Sequence, residues 1–383
     1  MKNLYLIITI AISISLFSTT LSYAGNDDRK SEGGATELLI NPWARSSGWA
    51  DANVACVVGL EAMYQNIAGM AFTPKLELAF TNTQYLVGTG IKINSGGFVT
   101  RVGKENGGVL GLSVMNMNFG EIDITTVQMP DGGIGTFSPS YSVIGLAYAR
   151  EFSNSIYGGI TAKIINENIA NVGATGFALD AGIQYVTGIG HDKFGDRNRD
   201  NLRLGITMKN VGTSMKYSGD GLAFTGFSQN GTQMTVAYRS QEFELPFLLK
   251  IGASYHIKLY QNKASMPMNS DNTGSEAADD KNTDHELIIA ANFTSNSYTK
   301  DQIHLGLEYT FRNYFSLRGG YIYEEGIESI TTSTNVLTGP TAGLSLQSPI
   351  SKDNKSSVIA FDYSYRLTRT FGGIHTFGVR ISM

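Results

Sequence analysis

The sequence predicts an all-β fold: a transmembrane antiparallel β-barrel of about 14 strands carrying a small N-terminal hatch or plug of short helices. Three observations point there. Apolar and polar residues alternate with a period of two in run after run, the signature of strands whose successive side chains face opposite ways. In 302–311, Ile303, Leu305, Leu307, Tyr309 and Phe311 alternate with Gln302, His304, Gly306, Glu308 and Thr310. Charged residues make up 16% of the 383 residues and apolar ones 42%, at a mean hydropathy of −0.08. That balance suits a sheet in which only alternate residues need be apolar. Long charged side chains recur on the polar phase of central strands, while Tyr185, Tyr255, Tyr309, Phe311, Tyr323 and Tyr365 stand near strand ends, as an aromatic girdle requires.

Residues 1–24 read as a signal peptide. Lys2 gives the positive start, 4–17 an apolar stretch, and Ser22 and Ala24 the small residues before a cleavage between Ala24 and Gly25. No later stretch offers 18 uninterrupted apolar residues, so any membrane span comes from strands. Residues 25–72 form the hatch segment. Its first part, 25–34, is polar; 35–71 is rich in small residues and lacks alternation, which predicts short helices or a compact loop within or beneath the barrel mouth.

The barrel spans 73–383. Its predicted strands are 74–82, 88–100, 108–119, 140–151, 155–166, 175–186, 201–210, 247–257, 286–295, 302–311, 314–323, 340–347, 357–367 and 373–382. Most have the 9–11 residues that a tilted strand needs to cross a bilayer. Unpaired backbone cannot face hydrocarbon, so the sheet must close. With both ends on the inner side, 120–139, 211–246 and 324–339 become long outer loops, and 152–154 and 312–313 tight inner turns. The inner connection 258–285, long and polar, reads as disordered. Residues 233–239 also alternate, as a protruding outer strand or as part of a 16-strand count.

The chemistry is sparse. His191, His256, His285, His304 and His375 have no metal-ligand spacing, and Cys56 is a lone cysteine. Gly132, Gly133 and Gly135 lie in a loop rather than between a strand and a helix. Asp192, Asp196, Asn198 and Asp200 do not have the phase of a calcium loop. No catalytic, cofactor or metal site is predicted, and a net charge of −4 gives no footprint for nucleic acid. Lys163, Arg203, Lys209, Lys250, Glu308, Arg318, Asp362, Arg366 and Arg380 fall on the lumenal phase, where they line a pore or pair and close it. Phe224, Phe227, Tyr238 and Phe243 give the largest outer loop apolar anchors for a partner.

Several segments resemble the PorV/PorQ family, outer-membrane proteins of the type IX secretion system within the wider FadL-like barrel group. These are Gly34-Ala35-Thr36-Glu37-Leu38-Leu39-Ile40, Ala44-Arg45-Ser46, Phe80-Thr81-Asn82-Thr83-Gln84-Tyr85, Leu245-Pro246-Phe247-Leu248-Leu249-Lys250-Ile251-Gly252, His304-Leu305-Gly306-Leu307-Glu308-Tyr309 and Phe315-Ser316-Leu317-Arg318-Gly319-Gly320-Tyr321. Tyr64-Gln65-Asn66-Ile67-Ala68-Gly69-Met70 looks like the family's Tyr-Trp-Asn-Pro-Ala-Gly-Leu, with Ile67 in place of Pro. The chain ends on Met383 rather than Phe.

The resemblance implies a fourteen-stranded barrel whose hatch motif comprises Tyr64, Asn66, Ala68 and Gly69. It also implies outer-membrane lipid as surroundings, and delivery of secreted cargo proteins to the cell-surface attachment complex with other secretion-system components. The alternative reading is a FadL-like channel for uptake of hydrophobic small molecules.

Overall fold

The computed structural model describes residues 32–103, 107–191, 197–261, 283–312, 314–350 and 357–383. The predicted signal peptide and its predicted cleavage between Ala24 and Gly25, Asp192 and Asp196, Asn313 and the interior of the connection 262–282 lie outside the described residues. Fourteen strands close into one antiparallel barrel. In chain order they are β1 (Leu76–Gln84), β2 (Lys92–Arg101), β3 (Val109–Asn118), β4 (Ser140–Ser153), β5 (Ile156–Ile169), β6 (Val172–Thr187) and β7 (Leu202–Gly212). There follow β8 (Leu248–Gln261), β9 (Thr283–Asn296), β10 (Gln302–Phe311), β11 (Phe315–Glu324), β12 (Leu337–Pro349), β13 (Val358–Thr368) and β14 (Ile374–Ser382). Closure runs from Glu77 opposite Ser382 to Gln84 opposite His375, which leaves no sheet edge open.

The barrel is inside-out relative to a water-soluble sheet. Leu305 is 52% exposed and Phe361 55%, whereas Lys209 is 2% exposed and Asp362 6%. The outward side chains of β4 to β7 include Leu146, Ile160, Ile183 and Ile206, all exposed. A contiguous apolar surface of this extent far exceeds the few hundred Å² a soluble monomer shows. It is stable only against an apolar surrounding, and the described helices are all too short to cross a membrane themselves.

Every predicted strand is present, 302–311 with both ends as predicted and the others with one or both ends shifted. The 16-strand count is corrected. Gln233–Ala237 pairs with Ala223–Phe227 in a hairpin standing apart from the barrel, because both flanking segments belong to one loop and no barrel strand is left unpaired beside it. The inner connection, read as disordered from 258, is shorter than that: β8 runs to Gln261 and β9 starts at Thr283, with a register irregularity after Lys258. The long connections 119–139, 213–247 and 325–336 share one end of the barrel. The sheet's first and last residues share the other, where Leu76 N–H donates to the Met383 carbonyl at 3.2 Å.

Residues 32–75 form no barrel strand and fill the lumen. Two short helices, α1 (Ala44–Gly48) and α2 (Ala62–Gln65), and 3-10 turns at Thr36–Leu39 and Ile67–Phe72 pack against the inner wall. The helices are too short to persist alone. Their order comes from the wall around them.

Candidate functional site

The lumen is shaped by glycines on the inward phase of the wall. A β-carbon at Gly205 on β7 would stand 2.5 Å from the Val54 carbonyl oxygen, and one at Gly306 on β10 would stand 2.8 Å from the Trp49 oxygen. Gly343 on β12 would meet the Gly48 Cα at 2.8 Å, and Gly111 on β3 the Met70 sulfur at 2.7 Å. Hatch backbone and wall therefore touch where any side chain would hold them apart.

The predicted hatch motif lies inside this contact. Asn66 caps the Ile67–Phe72 turn, accepting the Ala68 N–H at 3.2 Å, and its amide donates to the carbonyls of Val54 (2.9 Å) and Ile183 (3.1 Å). Gly182 leaves room for it, since a β-carbon there would fall 2.2 Å from Asn66 Oδ1. Ala68 is fully buried, and Gly69 passes the Val57 carbonyl so closely that a β-carbon would fall 2.0 Å away. Ile67, which stands in the Pro position, buries its side chain over Gly159. Tyr64 donates from its hydroxyl to the Leu38 carbonyl at 3.2 Å.

Most of the predicted lumenal charges hold partners in the wall or the hatch. Near the strand-terminus end, Arg318 bonds Glu308 and, at 2.6 Å, Ser345 Oγ, while Ser345 donates to Asp362. Arg380 faces Asp362 at 3.7 Å and Glu77 at 4.0 Å. The hatch joins this network. Leu60 N–H donates to Glu77 of the wall at 2.8 Å, and beside it, within the hatch, Glu61 accepts from the Ser46 hydroxyl at 2.6 Å. Higher up, Arg366 holds the Asn41 carbonyl at 2.9 Å and Lys250 donates to Gln65 Oε1 at 3.0 Å. The hatch partners Asn41, Glu61 and Gln65 were invisible to periodicity, because the segment that carries them has none.

Two of the predicted lumenal cations make no ion pair or hydrogen bond among the described residues: Arg203, whose guanidinium lies 5.4 Å from the Phe72 ring centre, and Lys209. The register between β6 and β7 shifts around Asp180, and Asn210, at φ 61°, is the extra residue of a bulge. Asp180 is held there by an ion pair with Lys163 Nζ at 2.7 Å and by the Asn210 N–H, which donates to it at 2.8 Å. Lys163 also donates to Asn210 Oδ1 at 2.6 Å. Lys209, one residue before, has no hydrogen-bond partner among the described residues and lies 3.6 Å from the Tyr64 ring centre.

Lys209 lines a cavity of about 50 Å³ between hatch and wall. Leu38, Trp43 and Met63 supply its hatch side, and Met115 and Val143 its apolar wall. Ser95 and Thr161 also line it, and their hydroxyls have no partner among the described residues. The chamber is thus mixed: Leu38, Trp43, Met63, Met115 and Val143 give it apolar walls, Lys163, Asp180 and Ser113 add polar ones, and the Lys209 ammonium, the Ser95 and Thr161 hydroxyls and one Asp180 oxygen have no hydrogen-bond partner among the described residues. Buried polar groups are normally satisfied, so such a cluster suits a polar atom of an incoming molecule.

The predicted partner-binding residues lie elsewhere, at the long-loop end. Phe224 and Tyr238 stack at 4.7 Å on the exposed Ala223–Phe227/Gln233–Ala237 hairpin, and Phe227 is 74% exposed. Phe243 is a correction to that grouping. It pairs with Met215 in a separate two-stranded sheet, packs 5.4 Å from Tyr217 and lies against Gly34, so it is an internal contact of the mouth. Burial and its hydrogen bond to Glu167 push the Tyr217 phenol above its ordinary pKa, which keeps it the donor.

No family model matches the chain, and no curated protein does. The PorV/PorQ resemblance therefore rests on the quoted segments alone. Among solved structures, the Ralstonia pickettii toluene transporter TbuX is similar at 15% identity and TM-score 0.45, over 91% of this chain and 97% of that one. The Pseudomonas putida toluene transporter TodX is similar at 11% identity and TM-score 0.48, over 89% and 97%. A Pseudomonas aeruginosa FadL homologue is similar at 13% identity and TM-score 0.43, over 88% and 96%. The barrel assignment stands on the fourteen pair registers.

Proposed function

We propose that this chain is an outer-membrane barrel of the FadL-like kind that takes up hydrophobic small molecules, with the hatch-wall cavity as a binding station. The observation that carries the reading is the meeting of the donors Lys209, Ser95 and Thr161 with the apolar side chains of Leu38, Trp43, Met63, Met115 and Val143 in one chamber, where Lys163 already pairs with the single carboxylate of the lining, Asp180. An apolar molecule bearing an anionic or acceptor group satisfies both at once. The apolar outer face and the long connections gathered at one end support outer-membrane residence.

The test uses Trp43, which lines the chamber. At about 50 Å³ the chamber takes a head group as it stands and an alkyl chain only once the hatch shifts from the wall; in a Trp49→Phe background, a brominated dodecanoate that enters in this way should quench Trp43 fluorescence saturably. Lys209→Met should weaken that binding about tenfold or more, since a hydrogen bond to a charged group contributes about 1.5–3 kcal/mol. Quenching that rises linearly without saturation, as for ligand dissolved in the detergent, would overturn the reading.

A second reading keeps the outer loops as a protein-binding surface for secreted cargo of a type IX system. Its support is the hairpin on which Phe224, Phe227, Met234, Val236 and Tyr238 are all exposed. Co-purification of secreted proteins sharing a C-terminal domain, lost when residues 222–238 are replaced by a short turn, would favour it over the uptake channel.

A further inference from the structure

We propose that the chain is threaded through its own barrel, so that Glu32–Ala35 is a strap across the outer mouth and Glu32 faces the cell exterior. The path can be followed bond by bond. At the strand-terminus end, the carbonyls of Ala71 and Thr73 accept from the Arg101 guanidinium, each at 2.8 Å, just before the chain turns into β1. Midway, Gly48 lies against Gly343, and Trp49 against Gly306 and Gly320. Higher still, the Asn41 carbonyl is held by Arg366 and the Leu38 carbonyl by Tyr64.

The chain ends this climb among the long connections. Gly34 N–H donates to the Glu244 carbonyl at 2.9 Å, and Glu244 N–H donates to the Glu32 carbonyl at 2.9 Å. Gly33 and Glu244 form a parallel bridge, so the strap adds to the strand 242–243, which already pairs with Met215–Lys216. Two glycines make this seat possible. A β-carbon at Gly33 would fall 2.6 Å from the Tyr298 ring, and one at Gly34 would fall 2.2 Å from the Phe243 ring. Ala35, at φ 48°, then turns the chain inward to Leu38, which lines the cavity. The strap thus lies directly above the proposed binding station, and a molecule arriving from outside meets it first.

This inference rests on the outer-membrane reading for the word outside, but the threading itself does not. Three single-site variants separate the two: Glu32→Cys on the strap, Asn230→Cys on the loop hairpin, and Asn154→Cys in the turn between β4 and β5, all at exposed positions. Cys56 is buried and serves as the unlabelled background. A membrane-impermeant maleimide applied to intact cells should label Glu32→Cys and Asn230→Cys as fully as it does after the outer membrane is permeabilised. Asn154→Cys should be labelled only after permeabilisation. Glu32→Cys reacting together with Asn154→Cys would overturn the threading. If the two reference sites exchange behaviour, the assumed orientation fails, and threading still requires Glu32→Cys to follow Asn230→Cys.

Discussion

Lys209 and Tyr64 face each other across the boundary between wall and hatch, the ammonium 3.6 Å from the ring centre. The nearby carboxylate makes its contacts elsewhere. Asp180 serves Lys163 and the Asn210 N–H, and Lys250 turns to Gln65. A desolvated cation over an aromatic face gains about 2 kcal/mol, far less than a paired carboxylate would return for the cost of burial. Lys209 is therefore poorly compensated by its protein neighbours, which favours an incoming acceptor.

Tyr64→Leu removes that ring and the hydroxyl bond to Leu38. The expected loss is about 3 kcal/mol, from roughly 2 for the cation–π contact and about 1 for the hydrogen bond. In a Lys209→Met background the same change should cost about 2 kcal/mol less. Denaturant unfolding of the four proteins of this cycle gives the coupling, and a coupling near zero removes the contact from the account.

Gly205→Val should drive the hatch from the wall, since its β-carbon would reach the Val54 carbonyl at 2.5 Å. The barrel should still migrate as a folded species in unheated gels, while residues 44–72 become sensitive to protease. Gly319→Val is the matched control, because nothing lies within 4 Å of the β-carbon it adds. It should leave protease resistance unchanged.

Asp180→Ala strands Lys163 inside the wall and frees the bulge N–H of Asn210. Breaking a buried pair from one side costs about 3–5 kcal/mol. The double change Lys163→Met, Asp180→Leu removes both charges and should recover most of that loss. Equal instability of the single and double variants would mean that bulge geometry, and not stranded charge, sets the cost.

Leu305→Arg places a cation on the middle of the outward face, where about 2–4 kcal/mol is expected in a bilayer. Val127→Arg, at a site 95% exposed in a long loop, should be neutral. Refolding into lipid vesicles measures both, and equal effects would count against the membrane belt.

The wall was legible because lipid and lumen impose opposite demands on alternate residues. The strand 302–311 was bounded correctly, with Leu305 outward and His304 buried as its phase required. Strand ends were less legible. The twelfth strand extends to Leu337 across Gly339 and Pro340, residues that ordinarily end strands, and its register against β13 shifts there. Residues 233–237 alternate like a barrel strand and differ only in their partner, a non-local fact.

The site was half legible. Phase put Lys209 and Gly205 in the lumen, but the partners of Asp180 depend on the bulge at Asn210, and the need for Gly205 depends on where Val54 passes. Phe243 looked like its aromatic neighbours in the loop, yet Gly34, over two hundred positions away in sequence, seats it.

The most direct test of the uptake account is a crystal structure of the protein soaked with a bromine-labelled carboxylate amphiphile, read by anomalous scattering. The account predicts the carboxylate within hydrogen-bonding distance of Lys209 and bromine among Leu38, Trp43 and Met63. Bromine found solely on the lipid-facing surface at saturating ligand, with the chamber side chains unmoved, would contradict it.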